Sequence, residues 1–231
     1  MANNLSALEK KIGFKFKKPA LLQQALAHRS YLNEHPEFAG GHNERLEFLG
    51  DAVLEIIVTE YLYTAFPETP EGQLTNWRAS LVNAKMLYLI AQELGIDDYL
   101  LLSRGEARDK NSKARQYILA NAIEAIIGAL YLDGGIKAAK GFIDKYAVSK
   151  FNDILKSESY LDPKSRFQEI AQEKVGITPT YKTLSEEGPD HEKNFTVGLY
   201  LGESLIATGQ GLSKQEAQVE AANNGLKANK W

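Results

Sequence analysis

The sequence predicts an all-α domain followed by a small α+β domain of order α-β-β-β-α. Three observations predict it. Apolar residues recur at helical spacing from Pro19 to about Ser157, and nothing before Ser157 alternates convincingly with period two. After the polar break Ser157-Glu158-Ser159, three strand-like runs lie between two helical segments. The 231 residues, 44% apolar and 25% charged, suit one large domain, or one medium domain plus a small one, and the change of pattern favours the second. The expected boundaries are 1–157 for the helical domain, 158–162 for a linker and 163–231 for the small domain.

In the first domain, Leu21, Leu22, Ala25 and Leu26 open a helix after Pro19. Residues 44–65 form a mostly apolar helix ended by Pro67. Leu74 to Leu94 reads as one helix with Gly95 as its C-cap. Residues 116–132 form a helix with 13 of 17 positions apolar, closed by Gly134-Gly135, so it belongs inside the domain. Residues 136–156 form another, anchored by Phe142, Tyr146 and Phe151. In the second domain, Asp162-Pro163 is an N-cap and first-turn proline before a helix carrying Phe167, Ile170 and Ala171. Strands are expected at Thr180–Leu184, Phe195–Leu201 and Leu205–Gln210, with a hairpin turn at Leu201-Gly202-Glu203-Ser204. Ser213 caps a last helix running to Ala228.

Composition narrows the chemistry. With no cysteine there is no disulfide, thiolate metal site or cysteine nucleophile. No apolar run near the N-terminus reads as a signal peptide, and the longest central apolar run, Ala125 to Leu132, falls far short of the roughly 20 residues of a membrane span. A cytoplasmic protein with no membrane association is expected. The net charge of −3 does not by itself advertise nucleic-acid binding. His28, His35 and His42 are spaced by seven, but Pro36 and Gly40-Gly41 break any shared helix, so they make no zinc site. Gly209-Gln210-Gly211 lacks the third glycine and strand-helix context of a dinucleotide loop.

The informative segment is Asn43-Glu44-Arg45-Leu46-Glu47-Phe48-Leu49-Gly50-Asp51-Ala52-Val53-Leu54. Glu44, Glu47 and Asp51 fall within about 60° of one another on a helix that is otherwise rich in apolar residues. The 116–132 helix likewise carries Asn121 and Glu124 three apart in an apolar run. If the two helices cross, Glu47, Asp51, Asn121 and Glu124 form an oxygen-only cluster of the kind that selects Mg²⁺ or Mn²⁺. The other reading is an acidic surface stripe, or acids paired with buried Arg or Lys. Glu71-Gly72, after Pro67 and Pro70, offers a further polar group from a loop.

Asn43–Leu54 resembles the signature of ribonuclease III, the double-stranded-RNA endonuclease family. Ala25-Leu26-Ala27-His28-Arg29-Ser30, Glu71-Gly72-Gln73-Leu74, Arg78-Ala79-Ser80-Leu81-Val82 and Ile123–Ala129 resemble further blocks of that family, in its order. The C-terminal unit resembles the double-stranded RNA-binding domain that follows the nuclease domain in bacterial members. The resemblance implies a homodimer of helical nuclease domains that cuts double-stranded RNA, in rRNA and mRNA processing, to 5′-phosphate and 3′-hydroxyl ends with short 3′ overhangs. By motif position it implies Asp51 and Glu124 as the catalytic pair and Glu47, Asp51 and Glu124 as metal-site carboxylates. Glu44 and Glu71 match further acidic residues, and Phe48 an apolar residue at the dimer interface; as sequence, an ordinary core Phe fits Phe48 equally. Mg²⁺ is the implied cofactor, with Mn²⁺ as a substitute.

One position departs from the family pattern: Asn121 stands where the family has Asp. Asn keeps a carbonyl oxygen but loses the charge, so metal affinity and activity should fall. In the small domain, Ser165, Gln168, Glu169, Gln172, His191, Lys214 and Gln215 match the family's RNA contacts, Gln215 standing where a second basic residue is usual. Residues 161–231 hold 8 basic and 10 acidic residues, so binding through this domain alone should be weak and salt-sensitive. Arg104, Arg108, Lys110, Lys113 and Arg115 form a denser basic cluster, either a phosphate-holding element or an exposed linker. The leading expectation is a metal-dependent double-stranded-RNA endonuclease. The alternatives are a non-cleaving RNA-binding or ribosome-associated protein with a retired site, and a helical scaffold with no RNA affinity.

Overall fold

The structure, a computed structural model, describes residues 5–110, 112–157, 162–189 and 193–231. The chain divides into two compact units, Met1–Tyr160 and Leu161–Trp231.

The first unit is helical. In order it comprises α1 (Leu5–Ile12), α2 (Pro19–Ala25), α3 (Arg29–Glu34), α4 (Glu44–Ala65), α5 (Glu71–Val82), α6 (Ala84–Leu94), α7 (Arg104–Arg108), α8 (Lys113–Tyr146) and α9 (Phe151–Ser157), with short 3₁₀ turns at Ile96–Asp98 and Val148–Lys150. The expected single helix from Leu74 to Leu94 is two. Asn83 ends α5 in an extended conformation, and its side chain accepts a hydrogen bond from the Met86 amide at 2.9 Å, so the residue caps a new helix instead of continuing the old one. Gly95 closes α6 in the left-handed conformation, as expected. Gly135, at φ 71° and ψ −172°, kinks α8 between the stretches 116–132 and 136–156 read from the sequence, but the second is not one helix: α8 ends at Tyr146, and a 3₁₀ turn and α9 follow. The two short helices α1 and α3 were not expected from periodicity.

The core is built around the pair α4 and α8, with Leu54, Ile57, Leu62, Ile123, Ile126 and Leu130 fully buried. Their crossing is backbone on backbone. A Cβ on Gly50 would fall onto the Glu124 carbonyl and within 2.9 Å of the Gly128 amide nitrogen, and a Cβ on Gly128 would strike the Leu46 carbonyl. Only hydrogen fits at either position. By composition and length the stretch Lys113–Lys156 is apolar enough to cross a membrane. Much of it is instead buried in this core, although Tyr117, Tyr131, Leu132 and Ile136 are exposed, and Gly135 interrupts it.

The second unit runs α10 (Pro163–Val175), β1 (Thr180–Glu187), β2 (Asn194–Leu201), β3 (Ser204–Gly211) and α11 (Lys214–Asn229). The strands form one antiparallel sheet in the order β1-β2-β3. Asp162 and Ser213 cap the two helices through their side chains, accepting from Ser165 N and Glu216 N. The helices pack together on one side, α11 lying along β3 and β2, around Phe167, Ala171, Leu199, Ala221 and Ala222.

Candidate active site

The crossing of α4 and α8 sets the geometry. Leu46, Gly50, Val53 and Leu54 face the core, so Glu47 and Asp51 emerge on the flank of the same helix. On α8, Ala120, Ala122, Ile123 and Ala125 are buried, while Asn121 and Glu124 are partly exposed. Glu47, Asp51, Asn121 and Glu124 therefore meet beside the glycine contact.

Their electrostatics follow from this proximity. Burial pushes the Glu124 carboxyl up to about 7, and the negative charges of Asp51 and Glu47 push it the same way. The Glu47 carboxyl is also raised, by burial first and then by the Glu44 and Asp51 charges, while a hydrogen bond from the Asn121 amide works against them. Anions drawn together under partial burial are unfavourable unless a cation joins them. The donors are all oxygen, the set that suits a hard divalent ion. Among the described residues no three His, Cys, Asp or Glu side chains stand in a ready-made metal cage. Mg²⁺ keeps several of its waters and needs only one or two carboxylates, so an open, charge-loaded patch is compatible with it.

The other expected acids lie differently. Glu44 is half exposed and has Arg29 Nη1 and His42 Nδ1 each 3.7 Å from its carboxylate. Glu71, the first residue of α5, accepts from Thr75 Oγ1 at 3.2 Å and lines a cavity of about 230 Å³ with Thr59, Tyr63 and Arg78. Phe48 is 82% exposed, which removes the core reading of that residue.

The only buried polar or charged residues among those described, Asn43 and Arg115, stand at the starts of the two site helices. Asn43 does not cap α4 with its side chain; its Nδ2 donates to the Ala25 carbonyl, and its backbone amide donates to Ala27. Arg115 Nε donates to Asp97 at 2.7 Å and Nη1 to the Glu106 carbonyl. Backbone bonds from Leu101 to Leu26 and from His28 to Leu101 join the two anchors. His28 caps α3 by accepting from Ser30 N, and burial lowers its basicity although Glu106 opposes this. These are positioning residues that periodicity missed: a buried arginine and an exposed one look alike in a basic run. The basic cluster is corrected accordingly. Residues 104–108 are helical rather than a loose linker, and Arg115 is an internal strut, unavailable to phosphate.

In the small domain, Ser165, Gln168, Glu169 and Gln172 are exposed on α10. Ser165 is tied to Asp162, and Gln172 donates to Thr178 Oγ1. Lys214 opens α11, as expected, but its Nζ pairs with Glu186 at 2.6 Å and lies over the Phe195 ring. Gln215 is exposed. His191 lies outside the described residues.

Residues 18–151 match the family model described as ribonuclease-III-like, and residues 163–228 match the double-stranded RNA binding motif. The chain belongs to the ribonuclease III family. A Ribonuclease 3 of Carboxydothermus hydrogenoformans is 45% identical over 223 residues, covering 96% of this chain and 94% of that protein. One of Enterococcus faecalis is 42% identical and covers 99% of both. A solved nuclease domain of ribonuclease III from Campylobacter jejuni, described for flexibility in the region of its dimer formation, is 41% identical with a TM-score of 0.56, over 62% of this chain and 98% of that one. Ribonuclease III membership with an RNA-binding motif makes this chain an endoribonuclease for double-stranded RNA, in a family that depends on a divalent metal.

Proposed function

We propose that the chain is a cytoplasmic, Mg²⁺-dependent endonuclease of rRNA and mRNA precursors that leaves 5′-phosphate and 3′-hydroxyl ends with short 3′ overhangs. The observation that carries this is the Gly50–Gly128 crossing, which loads Glu47, Asp51 and Glu124 onto one patch where Glu124 is pushed to about 7. Glu47, Asp51, Asn121 and Glu124 hold the divalent ion, which when bound neutralises phosphate charge and activates water. Asp51 and Glu124 are the catalytic pair, and in its deprotonated form Glu124 would orient the attacking water. Glu44 and Glu71 extend the acidic surface. Mn²⁺ substitutes for Mg²⁺. The exposed Phe48 packs against a second copy of the chain, so the active form is a homodimer. Ser165, Gln168, Glu169, Gln172, His191, Lys214 and Gln215 contact the duplex minor groove and phosphates.

Asn121 favours a second reading, a site retired from cleavage that still binds RNA. Its amide occupies Glu47, where an Asp would add an anion. A gel assay with long double-stranded RNA and Mg²⁺ separates the two. Cut products from the native chain, absent for Asp51→Asn, support the nuclease; a shifted but intact band supports the retired site. Asn121→Asp should raise cleavage in Mg²⁺ by at least about tenfold, on the order of 1.4 kcal/mol or more of transition-state stabilisation, and equal rates for both forms would sink that role for Asn121.

A further inference from the structure

Of the cations expected to meet RNA, Arg115 is internal, and Lys214 shares its charge with Glu186 in an exposed pair. The chain is acidic overall, yet duplex binding needs cations that displace phosphate counterions. The segment between α1 and α2 holds them. From Glu9 to Lys18 there are five lysines and one carboxylate. Residues 14–18 run without helical structure, and the alternation puts Phe14 and Phe16 inward, their rings in edge contact at 5.1 Å, and Lys15 and Lys17 outward about 7 Å apart. Lys18 is exposed next to them, and Lys137 is exposed on α8. Asp133 on α8 accepts the backbone amides of Lys17 and Lys18 at 2.7 and 3.1 Å, and Lys137 follows four residues later, just past the kink at Gly135. Glu9 likewise accepts the Phe16 amide at 2.9 Å. The two carboxylates at this edge are thus engaged in folding the segment, and no ion pair to Lys15, Lys17, Lys18 or Lys137 is recorded among the described residues. The next acid along α8, Asp144, faces Lys140 at 3.4 Å.

We infer that the edge formed by Lys15, Lys17, Lys18 and Lys137 is a second contact surface of the nuclease domain for the phosphates of duplex RNA. It rests on the reading of the chain as a double-stranded-RNA enzyme. Exposed cations without an ion pair among the described residues, two of them on one extended segment, fit a phosphate ladder rather than a small ligand. Such a surface adds affinity without sequence preference.

The test uses the full-length protein in EDTA, so that nothing is cut, with fluorescence anisotropy of a labelled RNA duplex over a range of KCl. Lys15→Glu/Lys17→Glu/Lys18→Glu should lower the slope of log Kd against log salt by about 2 to 3, on the order of 0.9 per lost phosphate contact. A control with the same charge change, Lys85→Glu/Lys227→Glu/Lys230→Glu, should lower it less. Circular dichroism establishes that both variants are folded; should the triple variant unfold, Lys15→Gln/Lys137→Gln gives the same reading with a slope change of about 1 to 2. An unchanged slope, or an equal drop in the control, overturns the inference. Loss of binding only to vesicles containing phosphatidylserine, with RNA binding intact, overturns it in favour of a membrane partner. If the native chain itself binds no duplex, the reading of the chain as an RNA enzyme fails instead, and the two failures are distinct.

Discussion

The two units solve different problems with polar groups. In the nuclease unit the buried polar residues, Asn43 and Arg115, stand at the roots of the helices that carry the carboxylates, where they fix helix position. In the RNA-binding unit, none of the described buried residues is polar or charged, and the side chains proposed to meet RNA, Gln168, Glu169 and Gln172, stand outside on α10 over a small core of Phe167, alanines and Leu199. Catalysis needs oxygens placed to fractions of an ångström, so the scaffold underneath is pinned. Recognition of a duplex by shape needs only a firm platform and exposed donors.

Four variants test that contrast, in falling order of effect. Gly50→Val should be the most damaging, because its side chain must displace the α8 backbone. Calorimetry should show a loss of at least about 4 kcal/mol or an unfolded nuclease unit. Arg115→Met breaks the tie to Asp97. Asp97 is 36% exposed, so the cost is expected below that of a fully buried pair, about 2 kcal/mol by chemical unfolding, with weaker Mn²⁺ binding in calorimetric titration of the folded protein. If Mn²⁺ affinity is untouched, Arg115 merely stabilises.

Glu124→Gln probes pH. The folded carboxyl releases its proton at about 7, above the unfolded value of 4.5. Between those values the unfolded chain binds fewer protons, so the metal-free fold loses stability as pH rises, and the loss is complete above about 7. Native protein in EDTA should therefore melt a few degrees lower at about pH 8 than at about pH 5.5 through this group, and Glu124→Gln should flatten the difference. The smallest effect belongs to the other unit. Gln168→Ala/Gln172→Ala should raise the Kd for duplex RNA about fivefold, on the order of 1 kcal/mol, with an unchanged melting temperature. A fall in melting temperature there would place these side chains in the scaffold after all.

Much of the architecture was legible because helical periodicity survives in long apolar segments. The 116–132 and 44–65 stretches, the Gly95 end of α6 and the Ser213 start of α11 all follow from local chemistry. The break at Asn83 was hidden because apolar spacing continues across it, and α1 and α3 are too short to impose a period. The grouping of Glu47, Asp51, Asn121 and Glu124 was legible only as a conditional on the crossing, and the glycines that decide it are ordinary letters in the sequence. Whether Phe48 is core or surface, and whether Arg115 meets phosphate or Asp97, depends on long-range packing that spacing does not encode. The Lys15 and Lys17 alternation is visible in the letters, but its freedom from acidic partners is not.

The contact between Gly50 and Gly128 has a consequence for how such a site changes over time. With two main chains touching, there is no intervening side chain to trim or enlarge, so the gap between the opposed acids is set once by the polypeptide itself. Drift cannot retune reactivity by nudging one rod against the other. It must exchange the headgroups that reach into the gap, such as the one at position 121.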